Sequence, residues 1–195
     1  MAEDKQLTEK ESLELIATMI RKAKSSYIDS GVGPLFWGIL ITFCSLVSYG
    51  ERVLKIDIGF DIWMLSLLAL IPQAYFSWRS RMVKNFASHD EIMMNYVWGT
   101  FALCIFMTTF YVNKSNAPNS LSLHMMIFGI PGFITGGVRK FRPMLIGGII
   151  CWICSIVSYY TSVQNDLLLM ALAATSAWLI PGIILRRRYL KLKNV

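Results

Sequence analysis

Six stretches of this chain contain no Asp, Glu, Lys or Arg: residues 30–50, 62–78, 92–113, 115–138, 143–165 and 167–185. They leave few folds open. A hydrocarbon core about 30 Å thick needs roughly 20 helical residues to cross it, and each stretch supplies such a segment once its flanks are trimmed. One run of this kind suits a buried helix of a soluble domain. Six of them within 195 residues leave too little polar chain to cover them. Charged residues make up 16% of the chain, against about a quarter in soluble domains. Residues 64–71 are apolar on every side, unlike the alternating strands of a membrane barrel. In lipid a helix closes its own backbone hydrogen bonds, and an open strand does not.

The expected architecture is an all-α, polytopic membrane bundle of six transmembrane helices, at about 34–50, 61–78, 92–112, 121–138, 143–161 and 166–185. An N-terminal segment, 1–33, precedes it and a basic tail, 186–195, follows. The N-terminal segment predicts an amphipathic helix from about residue 9 to 28. Thr8, with Glu11 three residues on, has the form of a reciprocal cap, and Leu13, Ile16, Ala17 and Ile20 recur at helical spacing. Its charges are mixed, six acidic and five basic residues up to Asp29, which favours packing against protein over attraction to anionic lipid. Gly31 and Gly33 break the helix, and Pro34 suits the first turn of span 1. The first thirty residues lack the apolar core of a cleavable leader, so span 1 is the expected insertion signal.

A net charge of +7 would suggest nucleic acid in a soluble domain, but its placement here has another explanation. With both ends on one side of the membrane, sixteen of the nineteen Lys and Arg residues share that side; the opposite loops hold Arg52, Lys55 and Lys114. This positive-inside bias predicts that both termini are cytoplasmic. The lipid bilayer is then the expected partner, and nucleic acid is not.

Repetition is the more informative signal. Each even-numbered span places Ile-Pro before a basic cluster: Ile71-Pro72, Ile130-Pro131 and Ile180-Pro181. Each odd-numbered span has glycine near its basic end: Gly38, Gly99 and Gly147-Gly148. The separations from Gly38 to Pro72, Gly99 to Pro131 and Gly148 to Pro181 are 34, 32 and 33 residues. Spans 1 and 5 also share a string, Cys44-Ser-Leu-Val-Ser-Tyr49 and Cys154-Ser-Ile-Val-Ser-Tyr159. The pattern predicts three two-helix hairpins inserted in the same direction, related by an axis along the membrane normal. Pro72, Pro131 and Pro181 remove one helical hydrogen bond each; they either hinge the even spans or only bend them around the bundle. Gly132 and Gly136 make a small-xxx-small surface on span 4, so Gly38, Gly99, Gly132, Gly136 and Gly148 are the expected helix-packing positions.

Chemistry is sparse. No Asp, Glu, Lys or Arg lies between the interfaces, and His89 and His124 fall at opposite ends of the bundle. Neither a metal site nor a catalytic set is therefore expected, and no cofactor is implied. Cys44, Cys104, Cys151 and Cys154 all lie in spans, where free thiols behave as small hydrophobes. The Cys151-x-x-Cys154 spacing puts two thiols on one helix face, but no second ligand pair accompanies it. Gln73, beside Pro72, is the first choice for contact with a neutral solute.

Residues 11–16, Glu-Ser-Leu-Glu-Leu-Ile, and 33–38, Gly-Pro-Leu-Phe-Trp-Gly, resemble the start of small uncharacterised integral membrane proteins of Bacteroides-type bacteria. That resemblance implies a bacterial cytoplasmic (inner) membrane and brings no activity with it. Mitochondrial carriers also have three two-span hairpins, but they carry proline and its charged partners in odd-numbered spans. The expected function is a non-enzymatic interaction, sensing or regulatory component that forms a homo-oligomer or joins another membrane protein. The alternative is a small transporter of a neutral or amphipathic solute.

Overall fold

The computed structural model describes Thr8, residues 13–14, 30–83, 89–115 and 120–193. The amphipathic helix expected over 9–28 falls almost wholly outside them. The described chain is helical: α1 (Val32–Leu54), α2 (Met64–Leu68), α3 (Leu70–Val83), α4 (His89–Ser115), α5 (Ser120–Val138), α6 (Arg142–Tyr159), α7 (Val163–Ala174) and α8 (Ile180–Lys193). A π-helical turn, Thr175–Leu179, joins α7 to α8. Among the described residues five helices are long and apolar enough to cross a membrane: Val32–Leu54, Ile92–Lys114, Ser120–Val138, Arg142–Tyr159 and Val163–Leu192. A shorter apolar helix, Met64–Tyr75, stands where span 2 was expected. The chain is an all-α, multi-spanning membrane protein.

Backbone chemistry explains where these helices turn. Before α1, Gly31 takes a left-handed conformation with φ 69°, which glycine adopts without a side-chain penalty. A Cβ there would stand 2.7 Å from the backbone nitrogen of Arg186, so the start of α1 is pressed against the last helix. At the end of α5, Phe141 N–H bonds to Gly136 O at 2.8 Å and Lys140 N–H to Gly137 O at 3.1 Å. Lys140 is left-handed, with φ 51°. This paired closure is a Schellman turn, and it folds α6 back along α5 while burying Phe141.

The last helix extends beyond the span expected over 166–185, into Arg186-Arg187-Arg188. The helix runs through these arginines to Lys193. Charge ends the stretch suited to hydrocarbon but does not break a helix, because Arg is a good helix former. The hinge has a specific form too. Pro181 has no N–H to offer Ala177, and the turn before it is widened, with Ile180 N–H bonding five residues back to Thr175 O. A π turn of this sort takes up the register change that proline imposes.

The last helix lies at the centre, with α1 on one side and α6 on another; α5 packs on α6, and α4 on α5. The core contains Ile41, Met125, Phe128, Cys151, Met170 and Trp178, with the half-buried Trp98, Phe101 and Ile105 of α4 against it. Helices α2 and α3 sit at the edge, with Leu67, Leu68, Ile71 and Trp78 exposed.

Candidate functional site

Three faces of the bundle hold glycine at matching positions, and two of them are filled. On α1 the buried face comprises Gly38, Ile41, Cys44, Ser45 and Ser48. On α6 the residues at the same offsets, Gly148, Cys151, Cys154, Ser155 and Ser158, are buried as well. A Cβ at Gly38 would stand 2.5 Å from the backbone nitrogen of Leu179 in the π turn, and one at Gly148 would stand 2.9 Å from Gly129 O and 2.8 Å from Phe133 N on α5. Both contacts are backbone on backbone, the close approach that small residues permit between membrane helices. Leu179 and Gly129 each lie two residues before the proline of their span.

The third face is open at its glycine. Among the described residues nothing lies within 4 Å of a Cβ built on Gly99. Of the residues at the offsets that are buried in α1 and α6, Ala102 and Phe106 are exposed on α4, while Ile105 packs half-buried against the core and the exposed Thr109 reaches His124 on α5. The residue two before Pro72 is Leu70, and it too is exposed. Span 3 instead turns Trp98 and Phe101 inward, where Trp98 meets Trp178 edge-on at 5.0 Å and Phe101 meets Phe128 at 5.3 Å.

The remaining expected packing positions differ in tightness. Gly136 lies directly against the backbone of Leu145, whereas Gly132 has ordinary van der Waals room, its nearest neighbour 3.7 Å from a built Cβ. Gly129 and Gly147 approach their neighbours more closely than Gly132 does: Gly129 meets Trp152, and Gly147 the Ser176–Ala177 backbone. Pro131 and Pro181 are buried, while Pro72 and Gln73 are half-buried at the edge of the bundle.

Hydrogen bonds knit the filled side. Ser122 and Ser155 exchange bonds across α5 and α6, each hydroxyl donating to the other's carbonyl at 2.8 Å. Thr42 and Thr175 hydroxyls meet at 3.2 Å between α1 and the π turn. His124 Nδ1 lies 2.7 Å from Ser120 O; a carbonyl only accepts, so this nitrogen carries the proton. In the neutral ring, Nε2 then accepts from Thr109 at 3.0 Å, tying α4 to α5. Cys151 Sγ faces Ala173 O at 3.5 Å, and Cys151 and Cys154 are free thiols. Among the described residues no group of three His, Cys, Asp or Glu side chains is placed to hold a metal ion.

Sequence reasoning gave Asp166, at the start of the last span, no role. It is 1% exposed in the first turn of α7, and Thr161 donates to its Oδ1 at 2.7 Å. The signal was the short turn after span 5, which leaves a residue at this position little choice but to lie beneath the turn. Nearby in the chain, the Ser158 hydroxyl is buried with no partner among the described residues; the Ser45 hydroxyl and Trp178 Nε1 are in the same state.

The described cavity is a crevice of about 300 Å³ between the start of α6 and the last helix, with Arg142, Ile146, Ile150, Ser176 and Ile180 among its lining residues. Gln73 is not one of them. No family model matches this chain, and no curated protein or solved structure matches it either.

Proposed function

We propose that this integral, multi-spanning membrane protein is a non-enzymatic interaction component of a bacterial inner membrane, with both termini in the cytoplasm. It acts by association: the open face of α4 around Gly99 receives a transmembrane helix from a second copy of the chain. The observation that carries this reading is the contrast among equivalent faces. A Cβ at Gly38 or Gly148 would run into the backbone of the residue two before a proline, Leu179 or Gly129, whereas among the described residues nothing lies within 4 Å of one at Gly99.

The internal threefold pattern supports the choice of occupant. If the chain is built from three like hairpins, each odd span packs on the even span of the preceding hairpin. Span 5 meets span 4, and span 1 meets span 6, which joins the last hairpin to the first. The remaining pair is span 3 with span 2. The exposed Leu70 of a second copy therefore has the same role open to it that Leu179 plays on Gly38. Transport of a neutral solute has less support, because Gln73 does not line the crevice and the centre of the bundle is filled by Met125, Met170 and Trp178.

The mass of the detergent-solubilised protein tests this. The parent chain is expected to run as a dimer or larger, and Gly99→Leu as a monomer with an unchanged helical spectrum. A monomeric parent, or a Gly99→Leu variant of unchanged mass, overturns the proposal. Removing residues 1–30 asks whether the N-terminal segment contributes to assembly. A reporter fused to Val195 that proves active only outside the cell would reverse the orientation.

A further inference from the structure

We propose that the crevice between α6 and the last helix binds one anionic phospholipid from the leaflet at the basic end of the bundle. The two helices touch at Gly147, where a Cβ would run into the Ser176–Ala177 backbone. Around this contact Pro143, Ile146 and Ile150 of α6 line a crevice with Ser176 and Ile180 of the last helix. The resulting volume, about 300 Å³, is at the lower end of cavities that hold small ligands. Its walls are nearly all aliphatic and it opens outward, so an acyl chain fits it better than a polar solute does.

Charge selects the headgroup. Arg142 lines the crevice and is exposed at the first residue of α6; among the described residues it makes no ion pair. Arg188 is held over the ring of Phe141 with its guanidinium carbon 5.2 Å from the centroid, which brings a second cation to the same turn. This contact exists because the last helix continues past its apolar stretch. Phe141 is itself buried by the Schellman turn, so the platform beneath Arg188 is rigid. Guanidinium groups suit phosphate because they present paired donors in one plane. Basic pockets between membrane helices are recurrent headgroup sites. An aliphatic wedge with Arg142 at its mouth thus matches a lipid with a net negative headgroup, and matches a zwitterionic one less well.

This inference stands apart from the association proposed above, and it is tested on both the parent and Gly99→Leu. The protein in mild detergent is mixed with palmitoyl-oleoyl phosphatidylglycerol, with the phosphatidylcholine of the same chains, or with inorganic phosphate, and the bound adducts are counted by native mass spectrometry. Phosphatidylglycerol is expected to be retained at one copy per chain in preference to phosphatidylcholine, with no phosphate adduct. Arg142→Gln is expected to weaken retention about fivefold, in keeping with one arginine near a membrane surface. Ile146→Trp fills the wedge and should abolish retention while leaving Arg142 in place. Equal retention of both lipids, retention unaffected by either substitution, or phosphate binding without lipid would each overturn the site.

Discussion

The α5–α6 pair and the spanning part of α4 are built from similarly apolar sequence, yet the pair is closed and the outer face of α4 is not. Along α5 and α6 the helices meet at Gly129, Gly136 and Gly148 and seal with reciprocal serine bonds. Along α4 the side chains Leu103, Phe106 and Phe110 project outward and are more than half exposed. Lipid is as apolar as leucine, so burying leucine between membrane helices gains little by transfer from one to the other. Close backbone approach and interhelical hydrogen bonds are what distinguish a protein neighbour from a lipid one. The closed side has both, while the open side has a glycine with no neighbour.

The largest expected effect sharpens this contrast using two aromatic truncations. Trp178→Ala should cost about 3 kcal/mol, the lower end for core aromatics, because lipid rather than water is the alternative environment. Phe110→Ala, on the open side, should cost close to nothing when both truncations are made in the Gly99→Leu background, where no second copy covers that face. Denaturation by a graded anionic detergent, followed by circular dichroism, reads both. Equal losses would mean that α4 is packed on its outer face and that the comparison fails.

Glycine replacement comes next. Gly148→Leu and Gly38→Leu each drive a side chain into backbone atoms that cannot rotate away, so each should cost at least the 1–3 kcal/mol of ordinary overpacking. Gly99→Leu should leave the stability of the protomer unchanged or raise it slightly, since Leu forms helix better than Gly by somewhat under 1 kcal/mol. The three melting temperatures in one detergent decide this; a fall for Gly99→Leu equal to the other two would show that its face is filled within the protomer.

The smallest expected effect is at Ser155. Ser155→Ala removes a donor from the reciprocal pair with Ser122, and membrane hydrogen bonds average about 0.6 kcal/mol. A double-mutant cycle with Ser122→Ala should return a coupling of that order. Zero coupling would assign the closure of the α5–α6 pair to glycine contact alone.

Much of this was readable beforehand from particular residues. The uncharged stretches located the long helices, since an uninterrupted apolar run states its own preference for lipid. Gly38 and Gly148 stood out because they preceded matching strings, and the burial of Ser45, Ser48, Ser155 and Ser158 follows the repeat of those strings. Other features gave no such sign. Gly99 looks like Gly38 in sequence, and only the position of span 2 distinguishes them. Asp166 itself carried no sign of its burial, although it is 1% exposed at the start of α7. The span expected to end near residue 185 is continued as helix to Lys193, because the point where a helix leaves hydrocarbon differs from the point where it stops being a helix.

Sequence by itself determined how each segment partitions: which residues enter lipid, that they do so as helices, and where the basic charge gathers. These follow from backbone hydrogen bonding and solvation, which depend on a residue and its near neighbours. Tertiary structure alone decided which glycines touch a neighbour, why the last helix widens before Pro181, and how Arg188 comes to lie over Phe141. Such contacts depend on where distant segments stand in space, and in a uniformly apolar medium neither hydropathy nor spacing records that.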